Sequence, residues 1–269
     1  MSKPVKDEIF GSRRTRIGPM LTDSTLSVYK DLFFCTCLWR YNKDRNTRYI
    51  LLNQVFDENE YEMNLEIRPF FNDYINLANI LFEEESVNIF NLRSLQIQTF
   101  PSKDDAAMEI LKMVSCLSGK LQSSTARTIE SEEVSELSRF LRKDMYGRLG
   151  STDIDFIIHN AANNTLIIME EKLFTESNGG SIGFGQYLSF RELLRDGLNL
   201  SHKTINFFLL FLPDENEDNC YYYDFLNERN SDQRKPGSYD SKRREKRIIF
   251  RFSEMNHSNL RDFIETEIL

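Results

Sequence analysis

Between Ser151 and Lys172 the chain reads STDIDFIIHNAANNTLIIMEEK, two short apolar runs joined by an asparagine-rich turn, each run edged by carboxylates. The isoleucine-rich composition predicts strands near 153–159 and 165–172, and NAANN suits the turn of a hairpin. A carboxylate beside a buried strand is costly to desolvate unless something pairs with it. The fold must therefore bring a positive partner to these acids.

Residues two apart on a strand share a face. Asp153 and Asp155 accordingly share a face of the first strand, and Glu170 and Lys172 share a face of the second. When the strands pair, Asp155 and Glu170 approach each other with Lys172 beside them. Two carboxylates held together repel, and one takes up a proton unless a cation intervenes. A hard divalent ion such as Mg2+ relieves that conflict while keeping several of its waters. Lys172 on the same face can orient or deprotonate an attacking water and offset charge on a phosphate. Metal, activated water and cation together are what phosphodiester hydrolysis requires. The plainer alternative is that Glu-Glu-Lys is only the solvated end of a strand.

Other elements can be placed around this hairpin. RPFFNDYINLANILFEEE carries apolar residues at helical spacing, including Phe71, Tyr74, Ile75, Leu77, Ile80 and Leu81, and is read as a helix. DDAAMEILKMVSCLSGKL opens with acids and is a second. SSTARTIESEEVSELSRFLRKD presents one stripe of Ile129, Val134, Leu137, Phe140 and Leu141, with Arg142 and Lys143 in its last turn, and is a third. LSVYKDLFFCTCLW and TRYILLNQVF are apolar elements too short to assign to helix or strand. After TESNGGSIG, read as a flexible glycine-rich loop and hinge, FGQYLSFRELLRD is a helix. TINFFLLFL is a buried strand, RIIFRF a last strand and HSNLRDFIETEIL a closing helix. The pattern predicts an α/β fold: a central mixed β-sheet flanked by helices, with a mostly helical N-terminal extension. We divide the chain into an N-terminal region, 1–120, serving recognition or scaffolding, and a core, 121–269.

On these residues DIDFII…LIIMEEK resembles the active-site hairpin of the PD-(D/E)XK, or restriction-endonuclease-like, nuclease superfamily. The resemblance covers about 85 residues, from Thr128 to Leu212. It implies that Asp155 is the aspartate of the first motif, Glu170 the acid of ExK and Lys172 its lysine. It further implies that Glu171 lends its backbone carbonyl to a Mg2+ held by Asp155 and Glu170, with Mn2+ as a substitute. Gln186, in GFGQYLSF, matches a glutamine of the following helix, and Glu133 is the candidate for an acid from the preceding one, with Glu130, Glu132 and Glu136 as competitors. The proline of the first motif is missing, since Thr152 precedes Asp153 and Ile154 precedes Asp155, so Asp153 competes with Asp155 for the metal.

The formal net charge of −8 argues against a protein that coats nucleic acid through bulk positive charge. A local basic surface is still available in Lys242, Arg243, Arg244, Lys246 and Arg247, where phosphates could be gripped, although a solvated loop explains the run equally well. Tyr221, Tyr222 and Tyr223 can stack bases, but alternation across a strand explains them more cheaply. Cys35, Cys37, Cys116 and Cys220 form no CxxC pair and lie far in sequence from His159, His202 and His257, so the spacing gives no sign of a zinc site. No apolar run approaches ~18 residues, and the N-terminus lacks the apolar core of a signal peptide. The expectation is a cytoplasmic, nucleoid or nuclear protein with no membrane partner. The expected function is a Mg2+-dependent endonuclease of the restriction or defence type, acting on DNA (with RNA as the alternative) and working as a homodimer so that both strands are cut. An exonuclease, a junction resolvase or a catalytically inactive nucleic-acid-binding protein is the alternative.

Overall fold

Long runs of β-branched and aromatic residues dominate both halves of the chain, and strands form wherever such a run is buried on one or both sides. The computed structural model describes residues 17, 27–41, 44–62, 64–73, 75–114, 136–141, 150–173, 179–201, 204–213, 219–226, 239–240 and 245–269. It is an α/β fold with mixed sheets and a few helices. Two compact units divide it, one reaching to Asp153 and the other comprising chiefly Ile154–Leu269. The boundary expected at 120/121 lies outside the described residues. Among those residues, no helix is long and apolar enough to cross a membrane.

In the first unit, β1 (Ser27–Tyr41), β2 (Asp44–Val55), β3 (Asn76–Phe82), β4 (Val87–Asn91) and β5 (Gln96–Phe100) lie side by side in chain order. All pairs are antiparallel except β2 with β3, which run parallel. Helix α1 (Lys103–Val114) covers one face, setting Ala106, Ala107, Ile110 and Leu111 against Ile50, Leu52, Ala78, Ile80, Val87 and Ile89. The short helix α2 (Glu136–Arg139) adds Leu137, and the turn that continues it adds Phe140 and Leu141. Those three belong to the stripe foreseen for this segment; the rest of that helix, Glu133 included, falls outside the described residues.

The mostly helical N-terminal extension is corrected here: its described residues are largely strands. RPFFNDYINLANILFEEE is not one helix. A 3-10 turn, Leu65–Phe70, ends at Phe71, and NLANILF continues as β3. The spacing misleads because β3 is buried on both faces, so its apolar positions fit either period. On the second face Asn79 is fully buried and accepts from Asn53 and Asn64 through Oδ1, while its own amide donates to the Tyr61 carbonyl at 2.7 Å.

The second unit is built on β6 (Gly150–Asn160), β7 (Thr165–Leu173), β9 (Thr204–Leu212), β10 (Asn219–Asp224) and β13 (Asn256–Asn259), in the spatial order β13-β10-β9-β7-β6. The hairpin β6–β7 is antiparallel and its turn is held by Asn160, whose side chain accepts from the Ala162 amide at 3.0 Å. β7 and β9 run parallel over nine aligned pairs, Thr165↔Thr204 to Leu173↔Leu212. The connection between them passes through β8 (Gly179–Gly183) and helix α3 (Phe184–Glu192). Helix α4 (Leu260–Phe263) follows β13 directly, its entry capped by the Asn259 side chain, and runs on as a π-helical segment, Ile264–Ile268.

The glycine-rich segment differs from the loop expected of it. Gly179–Gly183 form a strand paired antiparallel to β12 (Glu245–Arg251), which pairs on its other edge with β11 (Tyr239–Asp240). Close approach explains the composition. A Cβ on Gly180 would stand 2.1 Å from the ring of Phe211, and one on Gly179, where φ is +152°, would stand 1.9 Å from the Phe250 carbonyl oxygen. Phe211 is fully buried and packs on Phe250 at 5.6 Å between centroids, so its ring has little room to move aside. We expect Gly180→Ala to lower stability by about 1–3 kcal/mol through overpacking, read as a lower urea midpoint with an unchanged slope.

Candidate active site

Aligned pairing of β6 with β7 runs from Asn160↔Thr165 to Phe156↔Met169. One step further, at Asp155 and Glu170, side chains take over the bonding. The Asp155 amide donates to Glu170 Oε2 at 3.2 Å, and the Glu171 amide donates to Asp155 Oδ2 at 2.9 Å. Each carboxylate thus accepts from the backbone of the opposite strand. The two acids that strand pairing was expected to bring near each other are joined by this exchange, and Asp153, two residues earlier and half-buried, has no part in it.

Glu170 is 1% exposed. A carboxylate at that depth is tolerable only with its oxygens satisfied by donors, preferably charged ones. Its Oε1 accepts from Lys172 Nζ in a short ion pair and from Gln186 Nε2 at 2.7 Å. The positive partner demanded by the sequence is in the first instance Lys172, reached two residues along the same strand. The lysine keeps part of its side chain in solvent, so it links a buried charge to the surface.

Gln186 arrives from the third position of α3. The preceding Gly183 supplies an extended N-cap without a side-chain cap, and the first turn of α3 holds no acid. The positive end of the helix therefore faces no competing negative charge from its own first turn. Gly185 is exposed, and a Cβ there would meet nothing within 4 Å, so open space adjoins the turn that carries Gln186. Helix α3 is anchored on the other side by Phe190, whose ring packs edge-on against Phe207 at 5.2 Å. Glu192 ends the helix half-buried; burial raises its carboxyl pKa above the ordinary range, Arg195 opposes the shift and Asp196 adds to it.

Asp155, Glu170, Lys172 and Gln186 are thus brought together, and Glu171 joins them through its backbone amide. Lys242, Arg243 and Arg244 lie outside the described residues, as does Glu133. Lys246 is exposed on β12, whereas the neighbouring Arg247 is 7% exposed and turned inward, donating to Ser181 Oγ at 3.0 Å and to the Ser181 carbonyl at 2.8 Å. Arg247 locks β12 to β8 and leaves the basic run that the sequence suggested. Among the described residues, no three His, Cys, Asp or Glu side chains gather in a group that could hold a metal ion. Two carboxylates still suit Mg2+, which is bound by one or two such groups and retains several waters. What the sequence could not reveal is the role of the Asp155 and Glu171 amides, because every residue has an amide and only register decides which ones meet a carboxylate.

Two outcomes follow for this site. Lys172→Met removes the charged partner of a buried acid and is expected to cost about 1–3 kcal/mol, the larger values for fully buried pairs being discounted for the partial exposure of the lysine. Adding Glu170→Gln should restore part of that loss, since the glutamine carries no charge to be left unpaired; a double-mutant cycle in urea measures it. For Glu192, the folded state holds its proton more tightly than the unfolded chain does. Its contribution is therefore present at low pH and lost as pH rises through the raised pKa. Glu192→Gln should accordingly gain stability over the parent at neutral pH and show no gain below the ordinary carboxylate range, as read by thermal melts across pH.

Comparison of the chain with family models, with curated proteins and with solved structures finds no match to any of them.

Proposed function

We propose that the chain is a Mg2+-dependent nuclease that hydrolyses phosphodiester bonds in DNA, with a restriction-endonuclease-like core formed by the hairpin β6–β7, helix α3 and strand β9. The observation that carries this reading is the convergence of Asp155, Glu170, Lys172 and Gln186 at the point where β6 and β7 cease to pair through their backbones. Asp155 and Glu170, with the Glu171 carbonyl, would hold the cation. When bound, Mg2+ would supply charge stabilisation for the phosphoryl oxygens and a more acidic water.

The chain's own groups do the rest. Lys172 Nζ, oriented by Glu170, donates to a non-bridging phosphate oxygen and offsets the charge that builds there as water attacks. The amide of Gln186 fixes the Glu170 carboxylate from the helix side, so the acid cannot rotate away from Asp155. Burial of Glu170 lowers the local dielectric, and each of these contacts is stronger than it would be in water.

A second reading has an observation of its own. Glu170 already has donors from Lys172, Gln186 and the Asp155 amide, so its charge is compensated within the chain. That closure suits a catalytically inactive nucleic-acid-binding protein on the same scaffold. Cleavage of plasmid and linear DNA separates the two. The nuclease reading expects nicking or linearisation with Mg2+ or Mn2+, its abolition by EDTA, and a loss of about 10²–10³-fold in Lys172→Ala. Cutting that survives EDTA, or that Lys172→Ala leaves undiminished, rejects the mechanism. Salt-sensitive binding without any cleavage selects the second reading.

A further inference from the structure

Strand β5 borders the sheet of the first unit. All five of its residues align with β4 without a bulge, from Gln96↔Asn91 to Phe100↔Val87, and among the described residues no strand pairs with its other edge. Gln96, Ile97, Gln98 and Thr99 are exposed, and only Phe100 is half-buried. An open edge offers free N–H and C=O groups to any extended chain, and native sheets blunt such edges with charges, proline or bulges. β5 carries none of these. From Ser94 to Phe100 the chain reads SLQIQTF, and proline comes only after it, at Pro101.

Hydrogen bonds at the ends of β4 fix which groups of β5 point outward. The Glu83 amide donates to the Ser86 carbonyl at 2.9 Å and the Leu92 amide to the Leu77 carbonyl at 2.8 Å, so the even-numbered residues of β4 bond toward β3. In an antiparallel ladder the bonding direction alternates residue by residue. Val87, Ile89 and Asn91 therefore bond toward Phe100, Gln98 and Gln96, which leaves Ile97 and Thr99 with N–H and C=O facing outward. The pattern stops at both ends. The Leu95 amide is bonded to the Asn91 carbonyl at 2.8 Å, and Pro101 has no N–H to offer.

Two outward residues, spaced two apart, are their own complement. An antiparallel copy of β5, related by a two-fold axis at Gln98, sets each Ile97 opposite a Thr99 and pairs the outward groups in about four inter-chain bonds. The two Gln98 side chains then face each other across a non-bonded pair, about 4.5 Å between Cα atoms, where each amide can donate to the other's oxygen. Ile97, 53% exposed, would be covered in the same step. Charge also favours this surface. Copies with a net charge of −8 repel each other at long range, so a second copy is best received where no charge stands. No charged residue occurs from Ser94 to Ser102. The flanking cations are engaged within their own chain: Arg93 donates to the Phe71 and Asn72 carbonyls at 3.0 and 2.7 Å, and Lys103 pairs with Glu136 at 2.7 Å.

We propose that β5 is the docking edge for a second copy of this chain, the two strands pairing antiparallel about Gln98 into one continuous sheet. The pairing stands independently of the nuclease reading. A five-residue edge is a small contact, so the dimer is weak and reversible.

Sedimentation velocity on the full chain, over roughly 1 µM to 1 mM, should show a monomer–dimer equilibrium. Gln98→Lys sets two ammonium groups against each other at the axis, on an exposed position. It should weaken the dimer at least about tenfold and leave the melting temperature unchanged. Under mild oxidation Gln98→Cys should give a disulfide joining position 98 of one copy to position 98 of the other, located by mass spectrometry, because the paired Cα atoms lie within disulfide reach. Gln96→Cys, displaced from the axis, should not link to itself. A chain that stays monomeric throughout, a dimer that Gln98→Lys leaves intact, or equal self-linking at positions 96 and 98 overturns the proposal. A monomeric chain that instead binds a synthetic LQIQTFPS peptide overturns the second copy and assigns the edge to an extended peptide.

Discussion

Glu170 is a charged group almost wholly withdrawn from solvent, and the arrangement of the second unit around it follows from that one constraint. Each donor comes from a different piece of chain: the Asp155 amide from β6, the ammonium from β7 itself, the Gln186 amide from α3. One acid therefore joins a hairpin to the helix of the crossover. An ionised carboxylate without donors is far more costly in the interior than a missing apolar contact, so these three elements are held in register by electrostatics as well as by packing.

Packing does its share on the same face. Phe190 and Phe225 cover Phe207, while Phe250 and the glycines of β8 close over Phe211. The aromatic layer is dense where it underlies α3 and β8. It thins toward β13, where Tyr221 and His257 reach the surface beside Phe252. A single sheet face thus changes from ionic at β7 to oily at β9 and to exposed aromatic at its far edge.

Much of this unit could be read in the sequence because its strands announce themselves. TLIIMEEK and TINFFLLFL are bounded by turn residues and carry the bulky side chains of buried strands, and both became β7 and β9. The two-residue period put Asp153 with Asp155 on one strand and Glu170 with Lys172 on the other, and the expected hairpin pairing then set Asp155 near Glu170. Reading failed where burial on both faces erased the period, as in NLANILF, and where glycine signalled close approach instead of flexibility, as in GGSIG. It was also blind to contacts fixed by tertiary register. Nothing in the letters Glu-Glu-Lys says that the middle residue would engage Asp155 through its backbone, and nothing in the serine and arginine separated by 66 positions says that Arg247 would turn inward to Ser181.

Gly185 carries a different kind of information. The glycines of β8 are fixed from within, by rings and carbonyls that leave no room for another carbon. Among the described residues nothing comes within 4 Å of a Cβ built on Gly185, although it stands one residue before the amide that steadies Glu170. A methyl group grafted there would meet no steric obstacle among the described residues, so beyond the ordinary gain in helix propensity it would be felt chiefly by whatever arrives from outside, which makes the position a natural gauge of how near a visitor comes to the helix entrance.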